Sequence, residues 1–266
     1  MYKNKKIGIA LGGGGARGLA HVGVLQALEE ENINIDMIVG VSMGAVIGAA
    51  YVLGMSLDEM KKIAGEYSQK RNLAKILDFG ISRRSLIKGA KAKNFLNKIY
   101  KGATFKETNI PFRTLVTNLV SGEEFVVKEG NIAEAVMASS CVPGIFPPVK
   151  IGEHYYIDGG VVNPTPTDVV KKMGADVVIG VDLIMKRNIE LKDPKIAATL
   201  LQSYEIIRTL AVKYKLKDVD EKTVLVKPKL RGAIDSFRFN DIEKFIDSGY
   251  EAGKIAIPEI KKRLEE

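Results

Sequence analysis

The chain has one cysteine, two histidines and no tryptophan among its 266 residues. A single thiol, Cys141, excludes an internal disulfide. Cys141 has no activating cation or base beside it in sequence, so it reads as a small buried apolar residue. His21 and His154 stand far apart, and neither H-E-x-x-H nor C-x-x-C occurs, so no metal and no other cofactor is expected. Low-complexity tracts and solenoid repeats are absent. Long apolar runs are absent too. The most apolar stretch, Met37–Leu53, is broken by Gly40, Ser42, Gly44 and Gly48 and falls short of a membrane span. Ile7–Leu11, after the charged N-terminus Met1–Lys6, is too short for a signal h-region. These features lead to the expectation of a soluble, cytoplasmic protein.

Acidic residues are scarce in one region. Lys61–Lys106 holds thirteen Lys and Arg against Glu66 and Asp78, while the whole chain carries a net charge of +8. Such a stretch suits anionic lipid or nucleic acid, or is a plain solvated face. With no tryptophan and no recognition motif, nucleic acid is set aside as a partner.

The apolar pattern predicts an α/β chain. Strands are expected at Lys5–Leu11, Asp36–Val41 and Asp176–Leu183, with a last one at Thr223–Val226. Hairpins are expected around Ser121-Gly122 and Gly152-Glu153, helices at Ala16–Glu31, Met43–Leu53, Ile132–Ser139, Pro166–Met173, Ile196–Tyr214 and Asp241–Leu264. In Ile196–Tyr214, the stripe Leu200, Tyr204, Ile207, Ala211 and Tyr214 is expected to face the core. No linker divides residues 1–266, which read as a single domain with a basic helical cap over 56–106.

Gly40-Val41-Ser42-Met43-Gly44 is a G-x-S-x-G between an apolar strand and a small-residue helix, the setting of a nucleophile elbow. Glycines two positions either side leave room for the tight turn. The plainer alternative makes Ser42 a helix N-cap. The loop Gly12-Gly-Gly-Gly-Ala-Arg-Gly18 follows the first strand and contains G-x-G-x-x-G at Gly13, Gly15 and Gly18. A dinucleotide site would need an acid at the far end of the second strand. Asp36 sits at its beginning, and Ser42 occupies the far end. The loop therefore suits an oxyanion hole. Arg17 would hold it, meet an anionic head group or form a surface ion pair.

A Ser-acid-His order fails if Asp158 is the acid, because no histidine follows His154. His154 lies four residues before Asp158 on one strand, about 13 Å away at ~3.3 Å per residue. His21 is expected to bond the backbone near the glycine loop. That leaves a carboxylate. Asp158-Gly159-Gly160 ends a strand and enters a polar turn, and partial desolvation would raise the aspartate toward a useful base.

Gly12–Leu25, Gly40–Gly44 and Asp158–Gly160, in this order, resemble the patatin-like phospholipases. So do Ala138–Pro148 and Asn163-Pro-Thr-Pro166, with a weaker echo in Phe239–Gly253. The chain looks similar to the short bacterial branch and to the catalytic domain of neuropathy target esterase. The resemblance implies a three-layer α/β/α fold with a mostly parallel central sheet. It implies Ser42 as nucleophile, Asp158 as general base and an oxyanion hole at Gly13, Gly14 and Gly15, supported by Arg17, Gly18, Gly40, Gly44, Gly159 and Gly160. A fatty-acyl ester of the phospholipid or lysophospholipid class is the implied substrate. Peripheral contact with anionic lipid at the inner membrane face is the expected partner interaction. The rival reading is a lipid-responsive scaffold with a vestigial site.

Overall fold

The computed structural model describes residues 5–78, 80, 85–184, 195–217, 219–230 and 241–266. The cap residues Phe79, Arg83 and Arg84, the first four residues and Phe239 lie outside them.

Five strands run parallel: β1 (Ile7–Leu11), β2 (Met37–Gly40), β3 (Phe112–Asn118), β7 (Val177–Val181) and β8 (Thr223–Val226). Three more, β4 (Glu124–Val127), β5 (Val149–Ile151) and β6 (His154–Asp158), pair antiparallel. The sheet path is β5-β6-β3-β2-β1-β7-β8, with β4 beside β3. Both faces of the central strands are buried, which is why they read as near-continuous apolar runs. Side chains alternate between the faces. Ile7, Ile9 and Leu11 enter the larger core with Ile38 and Ile179, against helices α1 (Ala20–Glu30), α2 (Met43–Val52) and α9 (Ile242–Glu265). Ala10, Val39 and Val178 enter a second core, where Val169 and Val170 of α7 (Thr167–Lys172) cover the other face. The expected strands, hairpins and terminal helix are present within a residue or two.

The register of β3 decides the site. Thr114 pairs with Gly40 on one side and Val127 on the other, while Val116 pairs with Asp158 and Phe125. Since β4 holds one edge throughout, β2 and β6 share the opposite edge, arriving from opposite directions. The level of Gly40 is two residues from that of Asp158, about 7 Å at the rise of a strand. The ends of these two strands carry Ser42 and Asp158.

The basic segment forms α3 (Leu57–Ser68), α4 (Lys70–Ile76) and α5 (Ala90–Ile99). Ser56 and Glu59 close a capping box at the start of α3. Asp78, one of the two acids in the stretch, accepts from the Gly89 and Ala90 amides at 2.8 and 3.1 Å and so caps α5. The remaining helices are α6 (Ile132–Ser139) and α8 (Ile196–Lys215).

Candidate active site

Ser42 follows β2 and begins α2 with φ 55° and ψ −124°. A non-glycine residue held there is strained. Its side chain caps no helix amide, so the plain N-cap alternative fails. The turn survives because its flanks have no Cβ: one on Gly44 would lie 2.0 Å from the Leu11 carbonyl oxygen, one on Gly40 2.5 Å from the Ala45 Cα. The Ser42 amide donates to Ser139 Oγ at 3.0 Å.

Asp158 is fully buried. Its Oδ1 accepts from the Gly160 amide at 2.7 Å. Burial pushes its carboxyl above the usual range. Arg208, the Gly160 amide and the Ser42 and Tyr204 hydroxyls pull in the opposite direction. Among the described residues, Oδ2 has no partner at full hydrogen-bond distance, leaving it open to a proton. Serine and aspartate, distant in sequence, thus lie side by side, with the Ser42 hydroxyl among the groups that act on the carboxyl. Gly159 packs on the Leu115 carbonyl and Gly160 next to the aspartate.

His21 is also fully buried, with Nε2 2.7 Å from the Gly12 carbonyl oxygen. That oxygen only accepts, so Nε2 carries the proton. Desolvation lowers the ring to about 4, keeping it neutral. His21 is bonded to the loop backbone, as expected. Asp36 is bonded to the Ile7 amide at the opposite end of β2 from Ser42, away from the ribose position of a dinucleotide site. Burial pushes the Cys141 thiol up, and its Sγ donates to the Met137 carbonyl, both signs of an inert side chain.

One reading needs correction and one alternative falls. Gly13 was expected among the oxyanion donors, but its N–H already donates to the Pro164 carbonyl at 3.0 Å. Among the described residues, the amides of Gly14, Gly15 and Met43 donate to no backbone carbonyl, which leaves them as candidates. Met43 follows Ser42, at the position that supplies an oxyanion donor in serine-hydrolase elbows. Arg17 is fully buried, so it forms no surface ion pair. Its Nε donates to the Gly14 carbonyl at 3.3 Å, and Nη2 meets Glu205 at 3.4 Å. Gly18 has no room for a side chain, since a Cβ would strike Met43.

The apolar stripe expected on α8 reaches the core only at Tyr204. Leu200, Ile207 and Tyr214 are exposed, and Tyr204, Glu205 and Arg208 are buried. Sequence reasoning missed Glu205, Arg208 and the site contact of Tyr204. A Glu and an Arg three apart on a helix look like any surface pair.

A cavity of about 280 Å³ opens from Ser42 and Met43 into the helical segment. Its walls include Leu73, Ile76, Leu77, Phe95, Leu96 and Ile99 from the cap, with Val46 and Ile47 from α2. Polar groups gather at the end where Ser42, Tyr204, Glu205 and Arg208 meet.

The patatin-like phospholipase model matches residues 9–171. Patatin-like phospholipase domain-containing protein 6 of mouse is 30% identical over 276 residues, covering 93% of this chain and 20% of its own. An uncharacterized NTE family protein of Mycobacterium tuberculosis is 34% identical over 178 residues, covering 67% of this chain and 49% of its own. The chain therefore spans from about a fifth to about half the length of these curated relatives. VipD from Legionella pneumophila superposes with a TM-score of 0.63 at 15% identity, over 97% of this chain and 67% of that one, and so shares the fold. With a family model matched across more than half its residues, on this sheet and through this serine elbow, the chain belongs to the patatin-like phospholipase family.

Proposed function

We propose that this protein is a lipid acyl hydrolase that cleaves fatty-acyl esters through a Ser42–Asp158 dyad. The observation that carries the reading is a strained serine at the end of an apolar cavity with a buried carboxylate against it. Asp158 takes the proton from Ser42 Oγ as Oγ bonds to the acyl carbon and the carbonyl oxygen becomes an oxyanion. Gly14, Gly15 and Met43 amides supply its donors, and the N-terminus of α2 adds its positive dipole end. The C–O bond to the leaving group then breaks, and protonated Asp158 returns its proton to form the free alcohol. Next, water gives a proton to Asp158 and its oxygen to the acyl carbon. The acyl–Oγ bond breaks, Oγ regains the proton, and the fatty acid leaves.

The cavity suits the acyl tail. A dry cavity of ~150 Å³ in an engineered core holds benzene, and this one is nearly twice that. Each methylene it buries is worth about 0.8 kcal/mol. Turnover of a panel of soluble acyl esters tests this. The expected result is a kcat/KM at least ~10-fold higher for medium-chain esters than for acetyl esters. Equal values across chain length would remove the cavity from the reaction.

A lipid substrate is drawn from an aggregate, and two features support peripheral docking on anionic lipid. Lys62, Arg71, Lys75, Lys88 and Lys91 of the cap are exposed. Helix α8 exposes Ile196, Ile206, Leu210 and Tyr214. A basic side chain near an anionic surface contributes ~1 kcal/mol, so a few suffice. In vesicle co-sedimentation the protein should pellet with anionic but not neutral vesicles at low salt, and release at 1 M salt, where the Debye length is ~3 Å. Replacing Lys88 and Lys91 with Glu should weaken sedimentation and spare turnover of a soluble ester. Equal pelleting on both lipids would return the cap to a solvated face.

A further inference from the structure

Three consecutive carbonyls of the glycine loop are each held by a buried side chain. His21 Nε2 takes Gly12, Arg208 Nη2 takes Gly13 and Arg17 Nε takes Gly14. No cis peptide occurs among the described residues, so each N–H points opposite to the carbonyl of its own peptide unit. The first unit displays this directly: His21 holds the Gly12 carbonyl, and the Gly13 N–H runs the other way to Pro164. By the same rule, Arg208 sets the direction of the Gly14 N–H, and Arg17 that of Gly15. Glu205 bridges the two arginines, at 3.4 Å to Arg17 and 3.3 Å to Arg208.

The same helix reaches the carboxylate. A Cβ built on Gly160 would lie 3.0 Å from Asp158 Oδ1, 3.1 Å from the Tyr204 hydroxyl and 3.3 Å from Arg208 Nε. The three groups therefore crowd around one small residue. The guanidinium also lies over the Tyr204 ring, 5.2 Å from its centroid. Arg208 thus spans the site, with Nη2 on the glycine loop and Nε beside the base. Helix α8 begins beyond residue 171, outside the matched family region.

We propose that Tyr204, Glu205 and Arg208 are positioning residues that tie the oxyanion loop and the Asp158 carboxyl to one helix, so that donors and base keep a fixed separation around Ser42. The proposal rests on the dyad reading above. Lysine at 208 would keep a charge but lose the fork that bonds the Gly13 carbonyl while flanking Asp158. Phenylalanine at 204 would keep the ring and remove only the hydroxyl.

The groups facing Asp158 are Tyr204 and Arg208 from α8, Cys141 from the loop after α6, and Ser42. Arg208 is also influenced by Glu205 and Asp182. Burial holds the Tyr204 hydroxyl protonated, so it can only donate to the carboxylate, which favours the ionised form. Removing it should move the acid limb of the pH–rate profile upward.

The test uses the full chain, a soluble medium-chain ester and a fluorophosphonate. Arg208→Lys is expected to lower kcat by about 10- to 100-fold with KM within about threefold. Phosphonylation of Ser42 should slow in parallel, because the phosphonyl oxygen needs the same donors. Tyr204→Phe is expected to retain the wild-type Tm and shift the acid limb upward. Wild-type kcat, phosphonylation rate and acid limb in both variants would reduce α8 to packing and overturn the proposal. If Arg208→Lys fails to fold, the Tyr204→Phe acid limb decides alone: an unshifted limb overturns it. A wild type that does not label at Ser42 would instead remove the dyad reading itself.

Discussion

Ser42→Ala is expected to lower kcat by ~10⁴-fold or more and to abolish fluorophosphonate labelling, with the fold intact. The expectation comes from geometry. The hydroxyl stands at the cavity end, on a backbone conformation that serine does not choose by itself. Such strain costs on the order of 1–3 kcal/mol and persists where surrounding structure enforces it. Here the enforcement is visible: α2 packs on the end of β1 and the glycine loop through Gly44, and Ser139 holds the Ser42 amide. A companion variant separates strain from chemistry. Ser42→Gly should be as inactive as Ser42→Ala, yet more stable by ~1 kcal/mol, because glycine accepts positive φ. Thermal melts of the two variants give that difference. Labelling that persists at another serine in Ser42→Ala would reject the nucleophile.

The sheet was legible from sequence because its strands are buried on both faces. Ile7–Leu11 and Val177–Val181 are unbroken apolar runs bounded by polar or glycine-rich turns. The elbow was legible for a different reason: G-x-S-x-G is a steric requirement, and both glycines press against backbone. The buried face of helix α8 was not legible. Pattern reasoning assigns the apolar face to the core, but this helix buries Tyr204, Glu205 and Arg208 and exposes Ile206 and Leu210. Buried charge is tolerated there because Arg17 and Arg208 both meet Glu205, and pairing cannot be read from one strand of sequence. The proposed oxyanion donors were only partly legible. Composition makes Gly13, Gly14 and Gly15 equivalent, and only hydrogen-bond accounting separates the committed amide from the others.

Asp158→Asn is the second large effect, with a loss of at least ~10² in kcat expected from removal of a general base. The side chain keeps its shape, and the Asn Oδ1 still accepts from the Gly160 amide. What disappears is the proton acceptor beside Ser42. The pH dependence gives an independent check. Burial raises the Asp158 pKa above its ordinary value. In the unfolded chain the carboxyl ionises at its ordinary pKa, ~3.9, while in the fold it holds its proton to higher pH. The unfolded state therefore binds fewer protons in that interval, and stability falls as pH rises from the ordinary pKa to the raised one. Wild type should lose stability relative to Asp158→Asn across this window, with the gap constant below and above it. The rate runs the opposite way: kcat/KM of wild type should climb with pH through the same raised pKa, as the base ionises. His21 supplies the contrast. It is neutral, bonded to the Gly12 carbonyl and pushed down to about 4, so its protonation contributes a destabilisation on the acid side only, as pH falls from about 6.5 toward 4. A melt series of wild type, Asp158→Asn and His21→Ala between pH 4 and 8 separates the two groups. Near-normal turnover in Asp158→Asn, with collapse in a correctly folded His21→Ala, would move the base to the histidine.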